Sequence, residues 1–155
     1  MPIDVIQTLI DPAAATEGRL LAELGFQSLA TLQFLHWEIA SASQAVDQID
    51  TRIALVPRAG DNPELLKQML AESYEGTLDC PQLDGVRQLG DTIEGYQSVG
   101  DYRPELWSII KWQGEPAGVL LVSPYRETNH WELVYMGLAP RFRGLGLGRQ
   151  LLEAV

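Results

Sequence analysis

The run Arg143-Gly144-Leu145-Gly146-Leu147-Gly148-Arg149 constrains this chain more than any other stretch. It separates a strand-like segment, 131–138, from a helix that begins near Gly146 and still runs at Val155. Three glycines in the five residues 144–148 exclude a regular helix or strand interior and let the backbone take positive φ. Unpaired amides at the helix start, aided by the helix dipole, favour phosphate oxygens in such a loop. Two common phosphate motifs fail on spacing. G-x-G-x-x-G needs glycine at 149 or 151, which are Arg and Leu, and no Lys-Ser or Lys-Thr follows.

Charge points to the same region. The whole chain has 11 basic and 21 acidic residues, a balance of −10, which disfavours nucleic-acid and membrane-surface partners. Residues 1–110 hold 17 acids and 6 bases (−11), whereas residues 111–155 hold 4 acids and 5 bases (+1), so an anion, if one binds, is expected near the second segment. At 155 residues the chain suits one sizeable core rather than two. Cys80 is the sole cysteine, so no intrachain disulfide forms and a reducing compartment fits. The opening MPIDVIQTLI carries no basic n-region and no apolar run is long enough to span a bilayer, so a cytoplasmic location is expected.

Periodicity predicts a short strand over 4–10, a helix over 13–24 stopped by Gly25, and a doubly covered strand over 29–39. A small, polar linker (41–51) leads to a strand over 52–56. Asp61 and Glu64 form a capping box for a helix over 62–73. A second helix carries Val86, Leu89, Ile93 and Tyr96 up to Gly100. Strands over 106–111, 117–122 and 131–138 follow as an antiparallel meander, with a turn through Gln113-Gly114-Glu115-Pro116 and a polar tip over 123–130.

The pattern R-x-x-G-x-G over 143–148, with the preceding strand and Leu138-Ala139-Pro140, resembles the pyrophosphate loop of the GNAT superfamily of N-acetyltransferases. The order helix, helix, three-stranded meander, glycine loop, helix is similar to that family's from Arg52 to Val155. The resemblance implies an α/β GNAT (acyl-CoA N-acyltransferase) fold, with a mixed, mostly antiparallel sheet and flanking helices. It implies acetyl-CoA as cosubstrate, its pyrophosphate on the amides of Gly144, Leu145, Gly146, Leu147, Gly148 and Arg149, with Arg143 adding charge. The pantetheine arm would pair as an extra strand with the backbone of Met136 and Leu138, and the Leu138 amide would face the thioester carbonyl.

Acyl transfer to an amine needs a base, because an ammonium has no lone pair. Glu132 lies 11 residues before Arg143, the spacing at which the histone-acetyltransferase branch carries its general base; on its own it reads equally as a solvent-facing strand glutamate. The family often supplies its acid from a tyrosine a few residues before a Gly-Phe pair. The only such pair is Gly25-Phe26, and the tyrosine position reads Leu21, so no acid carries over. His36 and His130 lie apart without metal-like partners and no metal is expected, while Trp107, Trp112 and Trp131 read as core or sheet-face residues.

Residues 5–39 resemble the family's later half, yet here they come first, so the elements stand in permuted order. The expected division is a C-terminal-half-like segment (1–40), a linker (41–51), and the start of a GNAT domain (52–155) truncated in its third helix. One explanation is a piece of a tandem chain resembling the mycothiol-synthase type. The other is a permutant in which 5–39 docks beside 131–138, since the 12-residue stretch 40–51 reaches up to about 40 Å. The expected activity is direct acetyl transfer to an amine of a small molecule or peptide. The alternative is a degenerate or truncated module that binds coenzyme A, the remainder of a tandem chain or a second copy without turnover.

Overall fold

The computed structural model describes residues 6–36, 50–77 and 88–153. Its sheet has four strands, β1 (Ile53–Pro57), β2 (Trp107–Trp112), β3 (Glu115–Tyr125) and β4 (His130–Leu138), ordered β1-β2-β3-β4. All three pairings are antiparallel. The helices are α1 (Ala15–Glu23), α2 (Pro63–Tyr74), α3 (Leu89–Gln97) and α4 (Leu147–Glu153).

Local chemistry explains most of these boundaries. The β2–β3 turn closes on Gln113 and Gly114, with φ of 52° and 87°, and Trp112 pairs directly with Glu115. Positive φ at both central residues is the two-residue hairpin geometry that matches strand twist, so the turn is shorter than the four residues expected. At α2 the cap is Asn62, whose side chain accepts from the Leu65 amide at 3.2 Å, one residue later than the expected capping box. Asp61 instead pairs with Arg58 at 2.8 Å.

The sheet is covered on both faces. On one face Leu66, Met69 and Leu70 of α2 pack with Trp107, Ile109, Val119 and Leu121 of the sheet, with Tyr74, Tyr96, Val134 and Tyr135 at their margin. On the other face Phe142 of the single turn at 140–142 and Leu147 and Leu151 of α4 pack with Ile110, Ala117, Leu120 and Val122, with Met136 and Leu138 beside them. Trp107 is fully buried and Trp112 half-buried, whereas Trp131 is 61% exposed and belongs to neither core. Cys80 and Val86 lie outside the described residues.

The leading segment departs from expectation. α1 falls within 13–24 and ends on Gly25 at φ 91°, where the Gly25 and Phe26 amides bond to Ala22 and Leu21 carbonyls in a Schellman closure. Residues 6–10 and 27–36, however, are irregular and exposed, His36 among them; residues 4, 5 and 37–39 lie outside the described residues. A strand is made by its ladder, and among the described residues no backbone hydrogen bond joins 6–36 to the sheet. The permutant docking beside β4 is therefore absent from the described residues.

Candidate functional site

Three features of β4 decide what can happen along it. The first is the direction of its backbone groups. The Ala139 amide donates to the Ala117 carbonyl at 2.9 Å, which makes 117/139 a hydrogen-bonded pair. Such pairs alternate in an antiparallel ladder, so 119/137 and 121/135 are also bonded, while 118/138 and 120/136 turn their backbone groups away. Met136 and Leu138 thus present N–H and C=O groups at the outer edge of β4, where no described residue adds a strand.

The second is a bulge. Leu121 pairs with Tyr135 but Val122 pairs with Leu133, leaving Val134 as an extra residue. In an unbroken strand Glu132 would share the α4 face with Met136 and Leu138. The extra residue reverses this: Glu132 sits opposite Ser123, which shares its face with Leu121 under α2 and α3. Glu132 is half-buried there, and Leu133 turns to the opposite face, 40% exposed.

On that face Glu132 has a partner that sequence reasoning missed. The Tyr125 hydroxyl donates to Glu132 Oε2 at 2.9 Å, and the Tyr125 ring stacks on His130 with centroids 4.5 Å apart. The bond to Glu132, with burial and the carboxylate charge, raises the Tyr125 pKa above its ordinary value of 10.0; the Gly100 backbone acts the other way. Tyr125 also lines an open cleft of about 530 Å³ with Gly100, Asp101, Arg126, Glu127 and Thr128. The expected polar tip hid this residue, because β3 extends through Tyr125 and only 126–129 form the tip. The signal was a tyrosine five residues before a histidine across a tight hairpin.

The third feature is the glycine loop. Gly144 and Gly146 have φ of 74° and 76°, and a Cβ at either would meet open space, so the backbone is exposed to an incoming group. The amides of Gly146, Leu147, Gly148 and Arg149 open α4 and have no carbonyl one turn back within the helix. Leu147 itself is a core residue, and Gly148 lies against Met136, 4.0 Å from its Cε to a built Cβ. Leu145 is half exposed.

Arg143 differs from expectation. Its guanidinium binds four carbonyls: Leu138 (2.9 Å), Glu75 (2.8 Å), Gly76 (3.4 Å) and Ser73 (2.9 Å). It ties the end of α2 to the end of β4, and it occupies the outward carbonyl of Leu138. Arg141 pairs with Glu72, and the hydrogen bond from Gln68, then that from Arg141, hold the Glu72 carboxyl below its ordinary pKa. The loop therefore offers anions its backbone dipoles more than these two side-chain charges.

Further along the same face, Ser73 donates to the Leu70 carbonyl at 2.8 Å, which leaves Tyr135 as donor in the 2.9 Å contact between their hydroxyls. Tyr74 and Tyr96 meet through their hydroxyls at 2.8 Å. Among the described residues no three His, Cys, Asp or Glu side chains gather as a metal site, and no helix is long and apolar enough to cross a membrane.

Residues 66–155 match the family model for the acetyltransferase (GNAT) family, more than half of the chain. Among curated proteins and solved structures, none gives a significant match. The family match spans every part of the β4 edge and the glycine loop, and the chain belongs to the GNAT acetyltransferase family.

Proposed function

We propose that this chain transfers an acetyl group from acetyl-CoA to an amine of a small molecule or peptide. The observation that carries the reading is the outward-turned backbone of Met136 and Leu138 at the β4 edge, which no described residue pairs, continuous with the positive-φ glycine loop. An extended, amide-bearing arm suits that edge, and a pyrophosphate suits the exposed amides of residues 144–149. Acetyl-CoA supplies an activated thioester. The Leu138 N–H, whose neighbouring carbonyl is held by Arg143, is the donor we assign to the thioester oxygen.

Glu132 is the base in this reading. It lies on the α2–α3 face, two residues before the bulge, and would take a proton from the substrate ammonium to give the free amine that attacks the thioester. The acidic balance of the first 110 residues is compatible with a cationic acceptor.

A second reading, binding without turnover, draws support from one observation: among the described residues, 6–36 add nothing to the sheet beyond β4. The exposed apolar side chains of that segment, Phe34 at 84% and Leu35 at 90%, also suit a piece that packs on another part of a tandem chain.

Calorimetric titration with acetyl-CoA, followed by thiol release against a panel of amines, separates these readings. Binding with turnover supports transfer, binding alone supports the second reading, and neither removes both. Gly146→Asp is expected to abolish binding, since it adds a charged side chain at φ 76° where the protein itself leaves open space. Equal affinity in that variant would sink the loop assignment. Glu132→Gln is expected to retain binding and to lower kcat by about 100-fold at neutral pH.

A further inference from the structure

We propose that Tyr125 is a positioning residue for Glu132: its hydroxyl fixes the carboxylate on the α2–α3 face of the sheet, and its ring is held by His130 and the Gly100 segment. The inference rests on the acetyl-transfer reading, which makes Glu132 the base.

Three elements converge on Tyr125. From β3 the hydroxyl reaches Glu132 Oε2 at 2.9 Å, a diagonal contact across the ladder, since Tyr125 pairs with His130 and Ser123 with Glu132. From β4 the His130 ring lies nearly parallel to the Tyr125 ring at 15°, and Thr128 Oγ1 meets His130 Nδ1 at 2.6 Å, which fixes that ring in turn. From the α3–β2 connection Gly100 passes over the ring. A Cβ there would lie 2.7 Å from the Pro124 carbonyl and 3.1 Å from Tyr125 Cε2, at φ 57°, so only glycine lets the connection close on the tyrosine. The neighbouring Asp101 amide bonds the Pro124 carbonyl at 2.8 Å and locks that approach.

This arrangement answers a specific need. A glutamate on a strand has three rotatable bonds, and a base half a rotamer away from its proton is ineffective. The Tyr125 bond engages one carboxylate oxygen and leaves Oε1 for a substrate proton. The charged and titratable groups around the pair are His130 on β4, Arg126 and Glu127 at the tip, and Asp101 from the α3–β2 connection, with Arg126 Nε 3.5 Å from Asp101.

The test uses the full chain and the Tyr125→Phe variant, which keeps the ring and its stacking on His130. Acetyl-CoA turnover with benzylamine, spermidine and a lysyl peptide is measured beside thermal melting. The expected result is kcat lowered on the order of tenfold, with the KM for acetyl-CoA and the melting temperature unchanged. A second readout needs no turnover: ultraviolet titration of the Tyr125 phenol, taken as the difference between the chain and Tyr125→Phe. In a Glu132→Gln background its ionisation should move down towards the ordinary range, because the carboxylate that opposes the phenolate is gone. Unchanged kcat in Tyr125→Phe, with Glu132→Gln impaired, overturns the positioning role and leaves the base intact. Unchanged turnover in Glu132→Gln, or none with any amine, removes the base and the positioning role with it. A phenol titration indifferent to Glu132→Gln overturns the contact itself.

Discussion

Arg143 shows how far a residue's role depends on what the chain folds beside it. The sequence makes it a cation next to a phosphate-binding loop, but its guanidinium faces four carbonyls, from β4, the last turn of α2 and the two residues after it. Planar, forked donors suit that task and a lysine cannot replace them. Arg143→Lys should therefore cost about 1–2 kcal/mol in urea unfolding, close to the loss in Arg143→Ala. Full retention of stability in the lysine variant would reduce the clasp to a simple charge. Asp50 offers a residue-scale check of a different kind. The side-chain bond from Arg52, then that from its amide, lower the Asp50 pKa to about 2, against an ordinary 3.8. Its stabilising effect is present above the ordinary value and disappears as pH falls through about 2. An NMR titration should place its midpoint near 2 in the native chain and nearer 3.8 in Arg52→Ala. Charge and identity were legible in both cases, but three of the four carbonyls that surround Arg143 come from Ser73, Glu75 and Gly76, distant in the chain, and leave no local signal.

Elements were more legible than their registers. The helices α2 and α3, the four strands of the sheet and the strand–loop–helix order follow from periodicity and turn chemistry within a few residues. The bulge at Val134 does not: it inverts the facing pattern, but the continuous apolar run Leu133-Val134-Tyr135-Met136 hides where the phase changes. That bulge decides which face bears Glu132, so the most consequential feature of the site was invisible in the pattern that located its strand. The two strands expected in the leading segment fail for a related reason: β-branched, alternating residues specify a strand only where a ladder receives them. The β3–β4 ladder depends on one close approach. A Cβ at Gly118 would lie 2.1 Å from the Gly137 carbonyl oxygen and 3.0 Å from Leu138 Cα, both backbone. Gly118→Ala should cost about 3 kcal/mol or more, or prevent folding, which denaturant unfolding and far-ultraviolet dichroism would reveal. A stable variant would mean that the two strands stand further apart.

At the scale of the molecule, the sheet and its helices form one unit, while residues 6–36 contain no buried side chain. Removing residues 1–49 should leave the melting temperature within about 2 °C of the full chain and reduce self-association, since it removes exposed Ile6, Leu9, Leu20, Leu24, Phe34 and Leu35. A large fall in melting temperature would show that the leading segment packs on the sheet. The order of the sheet also has a kinetic meaning. β2, β3 and β4 are neighbours in space because they are neighbours in the chain, so two hairpins can zip from their turns with little loop to close. β1 is different: α2 and α3 lie between Pro57 and its partner Ser108, so its pairing closes a long loop and is expected to form after the hairpins. The edge that carries the candidate cofactor surface thus belongs to the half of the fold with the shortest loops to close, and the opposite edge is expected to close last.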